Sequence, residues 1–393
     1  MKYHFILPLL LLTSCMENTE PVRRLPREFE PTIQVPAHVS SDKLALNVFR
    51  ELLRSEKGNI VYSPASMESA LRLLQQGARG TSARELQALP MGEHNIPTAM
   101  SPHQATAIFV DEALPLKSGI SDDDIISIPL ATAPAEAAES INAWVQEETR
   151  NMVPGIVSEV ELKERPYRMM LANALALDEK WLHLFYEGNT DSEHPFTRAD
   201  GSKCTVPMMY EKSHYRYAQG DDWQAVALFY RRDGREGNPG CFLAILPKDN
   251  ARDFGTSLTE EKYSSIRRAL AMAKPMEFIL EIPRFELMTS TFSLRAALQA
   301  CGLKHCFTEH ADLSGFCEDP LMVDDILQRC YIKNCEKGTQ AAAVTVISTE
   351  PLCVPITPPE RLTFDRPFIW AITDLTSPAA PYFMGLYEGP EGI

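Results

Sequence analysis

Apolar residues recur at helical spacing through the first half of this chain and at strand spacing through most of the second. No linker, low-complexity block or internal repeat follows about Val39. A chain that gathers its helices early and its strands late is not a series of alternating βαβ units, and the class it predicts is α+β. Helices are expected over 42–53, where Leu44, Val48 and Leu52 recur with Phe49 and Leu53 beside them, and over 64–77. The second begins at a Ser63-Pro64 cap and first turn, buries Met67, Ala70, Leu71 and Leu74, and stops at Gly77. Ser82 and Glu85 have capping-box spacing for a short helix through Leu89. Further helices are expected over 138–152, with Ile141, Trp144 and Val145 on one side, and over 292–300, ending at Gly302. Strands are expected over 171–177, 224–230, 241–246, 278–282, 331–333, 368–372 and 382–387. In the fourth of these, Phe278, Leu280 and Ile282 share one face and Glu277 and Glu281 the other, which predicts a half-buried strand.

Length, 393 residues, would allow two or three domains, but nothing divides the body. The balance of 38 Lys and Arg against 53 Asp and Glu, net −15, argues against nucleic acid or an anionic membrane as an electrostatic partner, since both need a basic face. The nine cysteines form no CxxC pair, so neither a zinc site nor another metal centre is expected, and most read as plain buried thiols. No G-x-S-x-G, H-E-x-x-H, Walker loop or G-x-G-x-x-G after a strand is present, and the histidines stand singly. No cofactor and no catalytic residue is therefore expected. Gly234, Gly237 and Gly240 lie three apart in a charged stretch that reads as a surface loop.

Residues 1–14 read as an export signal: Lys2, a short apolar run from Ile6 to Leu12, then small polar residues before Cys15. The apolar run is too short to span a bilayer. Leu12-Thr13-Ser14-Cys15 resembles the bacterial lipobox, in which the cysteine becomes the lipidated first residue, and a secreted form is the alternative. Residues 15–38 carry Pro21, Pro26, Pro31 and Pro36 among charged and polar neighbours and read as a tether. At about 3.1 Å per residue, some twenty extended residues of it could hold a domain up to ~60 Å from the lipid.

The segment that carries most information runs from Glu336 to Thr345 through Gly338, Thr339 and three consecutive alanines. As a helix it would have Gly338 in its first turn and β-branched Val344 to Ile347 in succession before Pro351. As a strand it would place Thr339, Ala341, Ala343, Thr345, Ile347 and Thr349 on one face, all uncharged and mostly small. Such a segment can enter a sheet.

The Glu336-x-Gly338-Thr339-x-Ala341-Ala342-Ala343 run resembles the hinge of the serpins, and the likeness extends over residues 39–390. Asn59-Ile60-Val61-Tyr62-Ser63-Pro64-Ala65-Ser66 is similar to the family's strand-to-helix turn, and Gly77-Ala78-Arg79-Gly80-Thr81 to the turn that follows. Asn173 and Trp181 lie eight apart. Leu246-Pro247, Pro283-Arg284-Phe285, Gly302, Phe307, Ala311-Asp312-Leu313-Ser314-Gly315 and Phe364-x-x-Pro367-Phe368 follow in family order. The resemblance implies a serpin domain over 39–393, with helices clustered around three β-sheets and an exposed reactive loop at about 338–358. It implies a monomer that inhibits serine proteases as a suicide substrate. The protease forms a covalent acyl complex on the loop, and the freed hinge then inserts into the largest sheet.

Under that resemblance, Glu336, Gly338, Thr339, Ala341, Ala342, Ala343 and Thr345 are hinge residues. Ser63, Ser66, Asn173 and Gln328 lie beneath the opening strands, and Trp181 where insertion begins. The family's loop length places the reactive bond at Leu352-Cys353, with Thr349, Glu350 and Cys353 as other positions after which the chain could be cut. A leucine there suits a chymotrypsin-like, elastase-like or subtilisin-like protease. No Lys or Arg lies between Lys337 and Arg361 to suit a trypsin-like one. The chain departs from the family pattern at Gln328 (often histidine), Gln340 (glutamate), Cys335 (acidic or amide) and Glu179-Lys180 (a Lys-Gly type pair), and 352–364 is a few residues longer than usual. A non-inhibitory binding or carrier protein and a cysteine-protease inhibitor are the alternatives. The expected location is a bacterial cell envelope, as an outer-membrane or cell-surface lipoprotein.

Overall fold

The computed structural model describes residues 42–93, 100–117, 124–165, 167–235, 237, 239–289, 291–339 and 360–390. The readings that fall on residues 1–41, including Cys15, and on Ala341, Ala342, Ala343, Thr345, Leu352 and Cys353 lie outside the described residues. The first elements are α1 (Lys43–Ser55), β1 (Ile60–Tyr62), α2 (Pro64–Gly77), α3 (Gly80–Ala88), β2 (His103–Asp111), β3 (Ile125–Ile128), α4 (Pro134–Glu148) and α5 (Glu159–Glu164). There follow β4 (Met169–Ala176), β5 (Glu179–Lys180), β6 (Asp191–Thr197), β7 (Lys203–Gln219), β8 (Trp223–Phe229), β9 (Cys241–Pro247), α6 (Ala251–Ser257), α7 (Glu260–Met272) and β10 (Pro275–Pro283). The remainder comprises β11 (Phe285–Met288), β12 (Phe292–Ser293), α8 (Arg295–Ala300), β13 (Asp325–Cys335), β14 (Gly338–Thr339), β15 (Arg361–Thr363), β16 (Phe368–Thr373) and β17 (Phe383–Tyr387).

One sheet runs β3-β2-β4-β13-β14-β5, with β11 and β12 also on β13. The other runs β1-β17-β16-β9-β8-β7-β10-β15, with β6 on β7. The chain is therefore α+β. Hydrogen bonding joins two of the three expected sheets through the 17-residue strand β7, which pairs with β6 and β10 along most of its length and with β8 at its end.

The first sheet is covered on both faces. Ile108, Val110, Met169 and Leu171 pack with Leu71 and Leu74 of α2, while Ala105, Ala107, Phe109, Met170, Ala172 and Ala174 pack with Ile141 and Val145 of α4. This double coverage explains why β4 reads as one unbroken run, Met-Met-Leu-Ala-Asn-Ala-Leu-Ala, with every residue buried.

Several boundaries differ from expectation for identifiable reasons. Helix α4 begins at Pro134, a residue suited to the first turn, rather than at 138. Ser82 and Glu85 form no capping box: α3 begins at Gly80, the Ser82 hydroxyl accepts from the Asp312 amide, and Glu85 accepts from the amides of Lys304 and His305, each at 2.7 Å. A capping box does form at Ser158 and Glu161. Phe292 and Ser293, expected in a helix, pair with Gln328 and Leu327 as β12, and α8 starts at Arg295. Glu281, expected on an open face, is 5% exposed because Arg361 and Thr363 of β15 close over its carboxylate.

Candidate functional site

Beyond β13 the chain turns at Glu336 and Lys337 and re-enters the sheet as β14. Gly338 lies between Cys335 and Lys180, and Thr339 between Asn334 and Glu179, so both occupy a slot between β13 and β5. Gly338 has φ +150°, and a Cβ there would stand 2.1 Å from the Glu179 carbonyl oxygen, which makes glycine a requirement of this close approach. Thr339 is fully buried, with its hydroxyl 2.7 Å from that of Tyr230. Burial raises the Tyr230 pKa well above the ordinary phenol value and keeps the hydroxyl neutral.

Tyr230 in turn stacks on Trp181, with centroids 4.8 Å apart and planes at 10°. The Trp181 indole N–H donates to the Cys335 carbonyl at 2.8 Å, and its backbone N–H to that of Lys337 at 3.1 Å. The turn itself is tied down. Glu336 accepts from Thr190 at 2.7 Å and from Arg284 at 3.2 Å, and Lys337 pairs with Glu187 at 2.9 Å.

Below the slot, β13 and β4 pair directly, in parallel, from Asp325 opposite Met170 to Cys330 opposite Leu175. At the middle of that ladder Gln328 faces Asn173. The Gln328 amide donates to the Ser63 carbonyl (3.0 Å) and to Asn173 Oδ1 (2.6 Å), and its oxygen accepts from the Ser63 N–H (2.8 Å). Asn173 donates to the Leu327 carbonyl (3.1 Å), and the Ser66 hydroxyl donates to Asn173 Oδ1 (3.1 Å). Ser63 also caps α2 through the Ser66 N–H. All four side chains are fully buried, so this polar knot closes the sheet from below and is itself closed by it.

The structure thus brings Glu336, Gly338, Thr339 and Trp181 into one cluster and Ser63, Ser66, Asn173 and Gln328 into another. Thr339 is the last described residue before Glu360, after which β15 pairs with Ile279 to Glu281 of β10. Segment 340–359 therefore links the slot of one sheet to the edge of the other. Sequence reasoning did not single out Tyr230, Glu187 or Thr190, or the partnership of Arg284 with Glu336; each touches the turn or the slot from a distant stretch of chain, and no local pattern marks them. Among the described residues, no three His, Cys, Asp or Glu side chains converge to hold a metal ion. The described cysteines are unpaired, and burial pushes the Cys301 and Cys306 thiols up to about 11.

The family model for serpin (serine protease inhibitor) matches residues 39–390. An uncharacterized serpin-like protein of Methanosarcina acetivorans is 25% identical over 98% of this chain and 96% of its own length. Leukocyte elastase inhibitor A of Mus musculus is 28% identical over 84% of this chain and 93% of its own. Among solved structures, native protease nexin-1 with heparin superposes with a TM-score of 0.75 at 23% identity, covering 89% of this chain and 98% of that one.

Proposed function

Because the chain belongs to the serpin family, we propose that it is a suicide-substrate inhibitor of serine proteases, cut at Leu352-Cys353 and held to a bacterial envelope by lipid on Cys15. The protease's serine attacks the Leu352 carbonyl, the bond to the Cys353 nitrogen breaks, and the new amine takes its proton from the protease's own acid. The acyl ester stays on Leu352. The freed segment then follows Thr339 down between β4 and β13. Ala341, Ala343 and Thr345 would enter on the side of Thr339, and none carries a charge to desolvate or lacks a backbone donor.

The observation that carries this reading is the seating of Gly338 and Thr339 in the slot above a ladder that is still closed. Insertion exchanges the one ladder between β4 and β13 for two, one on each side of the new strand. At about 1 kcal/mol net per backbone hydrogen bond, that gain is on the order of several kcal/mol. It exceeds the loss of the Gln328 contacts and supplies the drive against deacylation. A leucine before the cut and the likeness to an elastase inhibitor support proteases with an apolar primary pocket.

The test is to incubate the full chain in detergent with chymotrypsin-like, elastase-like, subtilisin-like and papain-like proteases and resolve the products on denaturing gels. An SDS-resistant adduct with cleavage after Leu352 is expected for the serine proteases. Clean turnover without adduct would assign a plain substrate or carrier, and an adduct with the papain-like protease alone a cysteine-protease inhibitor. Cys15→Ala is expected to move the protein out of the detergent phase, and unchanged partitioning would remove the tether.

A further inference from the structure

Two sequence features that the inhibitory reading leaves unused meet in the structure. Glu179, the acidic residue two before Trp181, is the direct ladder partner of Thr339. Arg235 lies in the glycine-marked charged stretch after β8. Its guanidinium reaches Glu179 in a two-pronged pair, Nη1 to Oε1 and Nη2 to Oε2, each at 2.6 Å. Glu179 is 2% exposed and Arg235 29% at their side chains, so the pair is anchored on its buried carboxylate.

The same Arg235 Nη1 donates to the Ser101 hydroxyl at 2.8 Å, and the Ser101 N–H donates to Glu179 Oε1 at 2.7 Å. The carbonyls of Arg231 and Arg232 accept from the guanidinium and hold its plane. Asp233 (φ 47°) and Gly234 (φ 81°) take left-handed backbone to make the turn that presents Arg235. Two more bonds run from this stretch to the slot. The Arg231 N–H donates to the Lys180 carbonyl at 2.8 Å, and Tyr230 meets the Thr339 hydroxyl. β5 is only two residues long, follows β4 after Leu177 and Asp178 and pairs with β14, so the bonds from this loop brace a short strand that β4 and β14 also hold.

We propose that Arg235 is a positioning residue of the inhibitory reaction: by clamping Glu179 it fixes the wall of the slot in which Gly338 and Thr339 sit. The seated hinge is then a preformed first step of insertion. With the clamp removed, the carboxylate of Glu179 is left buried beside Thr339 without its guanidinium, and β5 moves outward to hydrate it. The hinge loses one side of its slot, and insertion must nucleate anew while the acyl ester is exposed to hydrolysis.

The inference rests on the inhibitory reading, and the test separates the two. Hydrogen–deuterium exchange over 336–339 in the full chain needs no protease. Arg235→Ala is expected to speed exchange there about tenfold, equivalent to about 1.4 kcal/mol, with Arg235→Lys intermediate and the 326–330 ladder unchanged. Against a chymotrypsin-like protease, Arg235→Ala is expected to cleave its loop at the native rate but to yield about threefold more cleaved, unbound product per adduct, since a small change in nucleation shifts the partition by such a factor. Unchanged exchange at 336–339, or faster exchange with an unchanged partition, overturns the proposal. Should Arg235→Ala not fold, Arg235→Lys decides by the same two measurements. If the native chain forms no adduct with any protease, the inhibitory reading and the reaction role fail together, and the exchange result alone tells whether Arg235 holds the slot.

Discussion

Gln328 uses one amide to satisfy both backbone groups of Ser63 and the side chain of Asn173. Its replacement by alanine takes the Gln328 acceptor from the Ser63 N–H and one of two donors each from the Ser63 carbonyl, which keeps the Met67 N–H, and Asn173 Oδ1, which keeps the Ser66 hydroxyl, so the expected loss is about 1–3 kcal/mol. Urea denaturation of Gln328→Ala against the native chain checks this. A second buried group carries a pH signature. Glu68 of α2 is 4% exposed, accepts from the Gly92 N–H at 2.9 Å and lies 3.4 Å from Arg72. Burial outweighs the pull of Arg72 and pushes the carboxyl from 4.5 up to about 7. Between those values the folded chain holds a proton that the unfolded chain has released, so stability falls as pH rises through the window and is flat above it with respect to this group. Glu68→Gln is expected to abolish that fall, on the order of 3 kcal/mol between pH 4.5 and 7.5. Denaturant midpoints at the two pH values would show it, and an unchanged slope would reassign the effect. At this scale the sequence was legible where chemistry is local: Ser63 caps α2 as its Ser-Pro pattern predicts. It was silent on Glu68 and Tyr230, whose burial is produced by residues far along the chain.

The hinge is the element on which function turns. On the proposed mechanism Thr339→Arg places a long cation in a fully buried position against Tyr230, beside a Glu179 carboxylate that is already paired with Arg235. The variant is expected to be cut by chymotrypsin-like proteases at an unchanged rate and to form less than about a tenth of the native adduct, a penalty of at least about 1.4 kcal/mol. Gel quantification decides, and equal adduct formation would sink insertion as the mechanism. The helices were readable in outline because their apolar stripes are periodic: α1 and α2 lie within two residues of expectation. Strands β2, β3, β5, β6, β7, β11, β15 and the first half of β13 were not foreseen. β6 and β7 carry polar residues on a partly open sheet and lack the apolar run that marks a buried strand. The split of Phe292 from α8 was equally hidden, since its pairing partner Gln328 is 36 residues further on.

For the whole molecule, the inhibitory reading makes the intact fold the less stable of two arrangements of one chain. A chain nicked in the 340–359 segment, with both fragments retained, is expected to melt higher than the intact protein by on the order of 10 °C or more. Differential scanning calorimetry of the nicked and intact forms would measure this, and an equal or lower Tm would mean that no strand is gained. The sequence by itself determined the family, the α+β class, the net charge that disfavours polyanionic partners, and the small uncharged hinge face. These are matters of residue type and short-range order. Only the tertiary structure decided that Gly338 and Thr339 are already seated, that Gln328 completes the knot below them, and that Glu179 has Arg235 as its partner. Those facts depend on contacts between residues 56 to 265 positions apart, which no local pattern encodes because they form only when separate strands and loops are packed against one another.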